Sequence, residues 1–213
     1  MAISKFNYNS FNVTPVAGKA LSFNSDADGF TTQGASSMVL IKTLTASDSS
    51  SLRFVHGTAD VDFSTYPVYV FKFYSIHGST DGEYTFGFQG SIDAGSNYNV
   101  AKTTTLFQAA HNEADSVAAL GYEAGNDLAN GTGDQKIANN IGTDNDESFC
   151  GEMFLFNPSS TTFVKHFIVR ASYSEATSYA IGYYVAGYAN TTSAVDAIIF
   201  RMNSGNIDAG TIK

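Results

Sequence analysis

The run Val68-Tyr69-Val70-Phe71-Lys72-Phe73-Tyr74, followed shortly by Tyr84-Thr85-Phe86-Gly87-Phe88, decides the fold class. Tyr69, Phe71 and Phe73 recur at every second residue, as do Tyr84, Phe86 and Phe88. Side chains two apart share one face of a strand, and a row of rings on that face reads as its buried side. Between the runs lies Ile76-His77-Gly78-Ser79-Thr80-Asp81-Gly82, whose Asp81-Gly82 pair supplies the positive φ of a tight connection. The expectation is a hairpin that joins the two strands.

Working outward, similar short runs separated by polar turn clusters predict strands over 38–45, 51–56, 67–77, 83–91, 102–110, 148–156, 162–173, 179–189, 195–202 and 206–213. In the run Phe163/Lys165/Phe167/Val169, alternating with Val164/His166/Ile168/Arg170, both faces carry apolar residues. That suits a strand in the middle of a sheet covered on both sides, or one facing a neighbouring subunit. Pro15 lies before the first strand, Pro67 opens one and Pro158 starts a turn, all compatible with strands. Ten strands without a long helical period predict an all-β protein, a β-sandwich with the jelly roll as its favoured version. Residues 37–213 read as one domain.

Two segments stand apart. Over 1–36, Phe6, Phe11, Val13, Leu21, Phe23 and Phe30 are spaced with no period, which predicts an extended N-terminal arm. Over 111–147, glycine and asparagine replace aromatics except Tyr122, and the segment is too long for an idle loop. It reads as an excursion beyond the sandwich edge and a place for partner contacts, although Val117–Tyr122 and Gln135–Ile141 have enough apolar content for a strand or a helical turn.

The 213 residues carry 11 Lys and Arg against 20 Asp and Glu, a net charge of −9. Such an acidic chain lacks the footprint for a phosphate backbone, so no nucleic-acid partner is expected. Charged residues make up 15%, under the roughly 25% of ordinary domains. Ser, Thr and Asn, at 24, 20 and 16, fill the gap around 17 Phe and 12 Tyr. No stretch of about 18 apolar residues suggests a membrane span, and residues 1–9 lack a signal-peptide apolar core. Synthesis in a cytoplasm is the expectation.

Candidate chemistry is sparse. The single cysteine, Cys150, excludes an intrachain disulfide and is expected to be a small buried residue. His56, His77, His111 and His166 have no ligand spacing. Asp26-Ala27-Asp28-Gly29 opens like a calcium loop, but Phe30 stands where an oxygen is wanted. Asp144-Asn145-Asp146-Glu147 and the pair Asp60 and Asp62 read as solvated turn carboxylates. Nucleophile elbow, phosphate loop and dinucleotide fingerprint are all missing. Neither an enzymatic activity nor a metal or cofactor is expected.

Four stretches carry a resemblance: Gly90-Ser91-Ile92-Asp93-Ala94-Gly95-Ser96-Asn97-Tyr98-Asn99-Val100, Asn157-Pro158-Ser159-Ser160-Thr161-Thr162-Phe163-Val164-Lys165-His166, Gly187-Tyr188-Ala189-Asn190-Thr191-Thr192-Ser193-Ala194-Val195-Asp196-Ala197 and Ser204-Gly205-Asn206-Ile207-Asp208-Ala209-Gly210-Thr211-Ile212-Lys213. They resemble virion structural, tail-fibre-like proteins of marine bacteriophages, chiefly those that infect cyanobacteria. The resemblance covers roughly 37–213 and brings no catalytic residue. It implies a protein of the virion exterior, either a capsid decoration or a head or tail appendage, with the major capsid protein or another virion protein as partner.

A homo-oligomer is expected, with the trimer as its favoured form, because it would cover exposed edges and aromatic faces. Phe6, Tyr8, Phe11 and Phe23 are the expected docking anchors, because buried aromatics dominate interface energetics. The alternative is a receptor- or glycan-binding module of a tail fibre, in which Tyr122 stacks on a sugar while Asn126, Asp127 and Asn130 hydrogen-bond to it.

Overall fold

The computed structural model describes residues 19–23, 30–34, 38–80 and 84–213, with the backbone alone for 19–23 and 31–34. The chain forms two compact units, Met1–Leu40 and Ile41–Lys213. In the first, β1 (Lys19–Phe23) pairs antiparallel with β2 (Phe30–Gly34), Phe23 opposite Phe30. The expected arm thus contains a two-stranded ribbon. Phe6, Tyr8 and Phe11 lie outside the described residues, as do Asp26 and Asp28.

The second unit holds β3 (Leu44–Thr45), β4 (Leu52–Val55), β5 (Val68–Gly78), β6 (Phe86–Ser91), β7 (Lys102–Asn112), β8 (Ala118–Tyr122), β9 (Gln135–Ala138), β10 (Phe149–Phe156), β11 (Lys165–Glu175), β12 (Tyr179–Ala189), β13 (Ala197–Met202) and β14 (Ile207–Ile212). All pairings are antiparallel. An eight-stranded sheet runs β3-β14-β5-β10-β11-β12-β7-β8, and a four-stranded sheet runs β4-β13-β6-β9. Eight of these strands, β3, β4, β5, β6, β9, β10, β13 and β14, wind as a jelly roll. Numbered one to eight, they give the orders 1-8-3-6 and 2-7-4-5. The pairs β7–β8 and β11–β12 are insertions that widen the first sheet beyond β10.

This topology corrects the hairpin expected for the opening sequence. β5 pairs with β14 and β10, while β6 pairs with β13 and β9 in the other sheet. Their phenylalanines face each other across the sandwich, with the rings of Phe73 and Phe86 5.8 Å apart and edge-on. Alternation fixes which side chains share a face, and two inward faces meet equally well whether their strands are neighbours in one sheet or opposed in two. Asp81 and Gly82 lie outside the described residues.

The strand expected over 38–45 shrinks to Leu44–Thr45. Part of the segment 111–147 is built into the sheets: it completes β7, supplies β8, and supplies β9, where Ile137 and Ala138 are buried. Pairing of β5 with β14 slips between Ala209 and Thr211, where Gly210 has φ 114° and a Cβ would come within 2.6 Å of the Ser75 carbonyl oxygen.

Phenylalanines fill the space between the sheets. Phe200 of β13 is fully buried, and its ring lies 5.1 Å from Phe73, 5.2 Å from Phe71, 6.2 Å from Phe54 and Phe86, and 6.3 Å from Phe88. Phe88 in turn stands edge-on to Phe167 of β11 at 5.0 Å. Burying one such side chain contributes about 1.5–3 kcal/mol, and edge-to-face geometry adds roughly 0.5–1.5 kcal/mol per pair.

Three loops lock one end of this unit. The Asp196 carboxylate accepts from the Ala94 N–H (3.0 Å), and the Asp196 N–H donates to the Ser91 carbonyl (2.9 Å). The Val195 N–H donates to the Pro158 carbonyl (2.8 Å), and Lys165 Nζ donates to the Thr191 carbonyl (3.2 Å). Residues 90–100, 157–166 and 187–197 therefore converge as structural fasteners.

Because Phe200 touches rings from both sheets, Phe200→Ala is expected to cost about 3–5 kcal/mol in urea unfolding. Phe163→Ala, at a side chain 73% exposed, should change stability by no more than about 0.5 kcal/mol.

Candidate functional site

Alternation along β5, β10, β11, β12 and β7 leaves one phase buried against the four-stranded sheet and the other on the opposite face. The antiparallel register lines the outward residues into rows. One row reads Lys72, Glu152, Arg170, Tyr184, Phe107 and Tyr122 from β5 to β8, and the next reads Val70, Phe154, Ile168, Ala186 and Thr105. Charge thus gives way to aromatic surface across a single row.

At the charged end, Lys72 Nζ lies 3.6 Å from the Glu152 carboxylate, an exposed pair worth at most about 1 kcal/mol. At the aromatic end, Phe107 and Tyr184 stack at 5.0 Å with 13° between their planes. Both remain more than two-fifths exposed, because Gly182, Ala109 and Ala186 around them are small. Beside the aromatic patch, Thr103, Thr105, Phe156, His166, Ile168 and Tyr188 line an open hollow of about 470 Å³. The aromatic end of the face is open to solvent, suited to binding a surface or a ring.

Of the expected glycan contacts, Tyr122 and Asp127 meet: the phenol donates to the carboxylate at 2.6 Å. That hydrogen bond to a charged acceptor holds the Tyr122 phenol above its ordinary pKa. The other two fasten the loop. Asn126 Oδ1 accepts from Lys136 Nζ at 2.8 Å, and Asn130 Oδ1 accepts from Asn190 Nδ2 at 2.8 Å. Of the four expected docking anchors, only the backbone of Phe23 is described.

Cys150 corrects its expectation. It is exposed on the outer face, where its sulfur accepts from the Ser75 N–H at 3.2 Å. The phase of β10 places Phe149, Met153 and Leu155 inward, and Cys150 shares the outward phase with Glu152. Asp62 is a turn carboxylate, accepting from Ser64 and Thr65, and these hydrogen bonds pull its pKa down to about 2. Among the described residues, no three His, Cys, Asp or Glu side chains gather as a metal site.

Two buried lysines went unread in the sequence. Lys165, Ala189 and Lys102 form one inward row across β11, β12 and β7, and both lysines are buried. Lys102 Nζ donates to Gln89 Oε1 and to the Val100 carbonyl at 3.1 Å, and lies 6.0 Å from the Phe88 ring centre. Lys165 Nζ donates to the carbonyls of Phe163 (3.0 Å) and Thr191 (3.2 Å). No carboxylate lies within ion-pair distance of either ammonium among the described residues. Burial therefore lowers both pKa values, that of Lys102 to about 7 against a slight opposing pull from Asp134. The visible signal was phase: Lys102 shares its parity with Leu106, and Lys165 shares its parity with Phe167 and Val169.

Comparison of the chain with protein-family models, curated proteins and solved structures found no match.

The depressed Lys102 pKa fixes the sign of a pH effect. Above its folded pKa near 7 and below the ordinary 10.5, the unfolded chain holds a proton that the folded chain has shed. Stability therefore rises with pH through this window, by about 2–3 kcal/mol between roughly pH 6 and pH 9. Urea unfolding of wild type and Lys102→Met at both pH values should show that increment in wild type alone.

Proposed function

We propose that this chain is a virion structural protein displayed on the particle exterior, as a capsid decoration or a head or tail appendage. It would sit on the major capsid protein or another virion protein, and its copies would associate with one another. The observation that carries this reading is the widened sheet of a jelly-roll domain, whose outer face ends in solvent-exposed aromatics at Phe107, Tyr184 and Tyr122. Jelly rolls serve as capsid and lectin domains, an analogy at the level of fold. The likeness of four segments to marine phage virion proteins gives the particular setting. Three of those segments fasten one end of the sandwich and the fourth contains β14, so they look like the signature of a scaffold rather than of a reactive centre.

A second reading is favoured by the stacked pair Phe107 and Tyr184, with Tyr122 paired to Phe107 in register and hydrogen-bonded to Asp127. Aromatic faces beside a carboxylate suit the apolar face and the hydroxyls of a host-surface sugar.

Immunogold labelling of purified intact virions from the phage that encodes the chain tests the first reading. Surface label on every particle is expected, and purified particles devoid of the protein would end the proposal. Removing residues 1–30 should abolish incorporation while the remaining chain still unfolds cooperatively, since Ile41–Lys213 is a compact unit. For the second reading, Tyr184→Ala combined with Tyr122→Ala should reduce host adsorption about tenfold or more, an amount typical for loss of aromatic anchors. Unchanged adsorption would discard it.

A further inference from the structure

β8 is the outermost strand of the eight-stranded sheet, with β7 on one side and no partner on the other among the described residues. The hydrogen bonds at the ends of the β7–β8 pair reveal how its backbone is oriented. The Asn112 N–H donates to the Val117 carbonyl, and the Glu123 N–H donates to the Leu106 carbonyl. The register between them is unbroken, with Phe107 opposite Tyr122. In an antiparallel pair, hydrogen-bonded and non-hydrogen-bonded positions alternate. Val117, Ala119, Gly121 and Glu123 therefore bond to β7. The N–H and C=O groups of Ala118, Leu120 and Tyr122 point away from the sheet.

Free edges are usually blunted with charge, proline or a bulge. Ala118-Ala119-Leu120-Gly121-Tyr122 has none of these, and all five residues are exposed, Leu120 by 73% and Tyr122 by 55%. The open stretch has defined ends. Before it, the Ser116 and Val117 N–H groups donate to Asn112 Oδ1, and after it the chain turns, with Asn126 N–H donating to the Glu123 carbonyl.

The geometry points to a second copy of this chain as the occupant of that edge, joined β8 to β8 about a twofold axis at Leu120. In this register Ala118 faces the partner's Tyr122, Leu120 faces the partner's Leu120, and Tyr122 faces the partner's Ala118. Each facing pair exchanges two hydrogen bonds. Six bonds form, and they use every outward donor and acceptor of both strands. A shift by two residues would leave some of these groups unpaired.

Side chains of Ala118, Leu120 and Tyr122 lie on the face that carries Phe107, so the join also brings two aromatic patches together. The join covers little beyond Leu120 and Tyr122, and even a fully enclosed aromatic side chain buries only about 150–250 Å². A few hundred Å² per copy falls short of the roughly 800 Å² of a stable interface. The dimer is accordingly reversible and grows stronger where copies are held close together. The twofold contact stands independently of the virion reading. It can also link larger oligomers side by side.

Sedimentation of the full chain over a concentration series tests the inference, with a monomer–dimer equilibrium expected. Leu120→Lys places like charges on the axis and should weaken association about tenfold or more. Leu120→Pro removes only an outward N–H that β7 does not use, so the dimer should weaken while the monomer's thermal unfolding stays close to wild type. Oxidation fixes the register: Cys150→Ser/Leu120→Cys should crosslink across the axis, where facing Cα atoms are about 5.5 Å apart. Cys150→Ser/Ala118→Cys should not, because those positions stand about 13 Å apart along the strand. A chain that remains monomeric at the highest soluble concentration overturns the inference. So does a dimer indifferent to both Leu120 substitutions, or one that crosslinks equally well through position 118.

Discussion

Rings packed edge-on between two sheets hold this domain together. With one cysteine and few charges, the chain has no disulfide and little ion pairing to rely on, and its interior is aromatic. Phe54, Phe86, Phe88 and Phe200 project from the small sheet, while Phe71, Phe73, Phe149 and Phe167 project from the large one. Interdigitation requires strands rich in phenylalanine to lie on opposite sheets, and the jelly-roll winding meets that need by sending the chain repeatedly from one sheet to the other. With the small sheet covering only part of the larger one, β8 stands beyond the shared core, while the aromatic row of Phe107 and Tyr184 is open to solvent because it lies on the face turned away from the small sheet.

Much of the architecture was legible because a period of two is written into the strands. β5, β10, β12 and β13 fall within two residues of the boundaries read from alternation. Pairing was not legible. The rings at 69, 71 and 73 and at 86 and 88 satisfy the same pattern whether their strands share a sheet or face one another, and only the positions of β13 and β14 decide the matter. β9 was legible only as a choice between a strand and a helical turn. It is four residues long and fills its space with Ile137 and Ala138 while buried Gln135 donates to carbonyl groups, so its composition resembles that of a loop.

The outer face was half legible. Tyr122 and Asp127 stood out by type and do meet, whereas Asn126 and Asn130 proved to be fasteners whose amide oxygens are already occupied. Phe107 and Tyr184 were overlooked because an aromatic in a strand reads as core, and parity alone cannot say which phase faces water. Lys102 shows the converse. A lysine reads as solvated, yet this one sits in the inward phase and satisfies its ammonium with an amide and a carbonyl.

The position of β14 has a consequence for how the molecule is made. It fills the slot between β3 and β5, so Thr45 meets a hydroxyl 166 residues further along the chain. β13 likewise separates β4 from β6. A ribosome adding roughly 5–20 residues each second delivers the early strands many seconds before the strands that must lie between them. Neither sheet closes during most of translation, and long-range pairing of this kind makes for slow folding. In that interval the nascent polypeptide exposes phenylalanine surface, the condition under which unfinished chains aggregate.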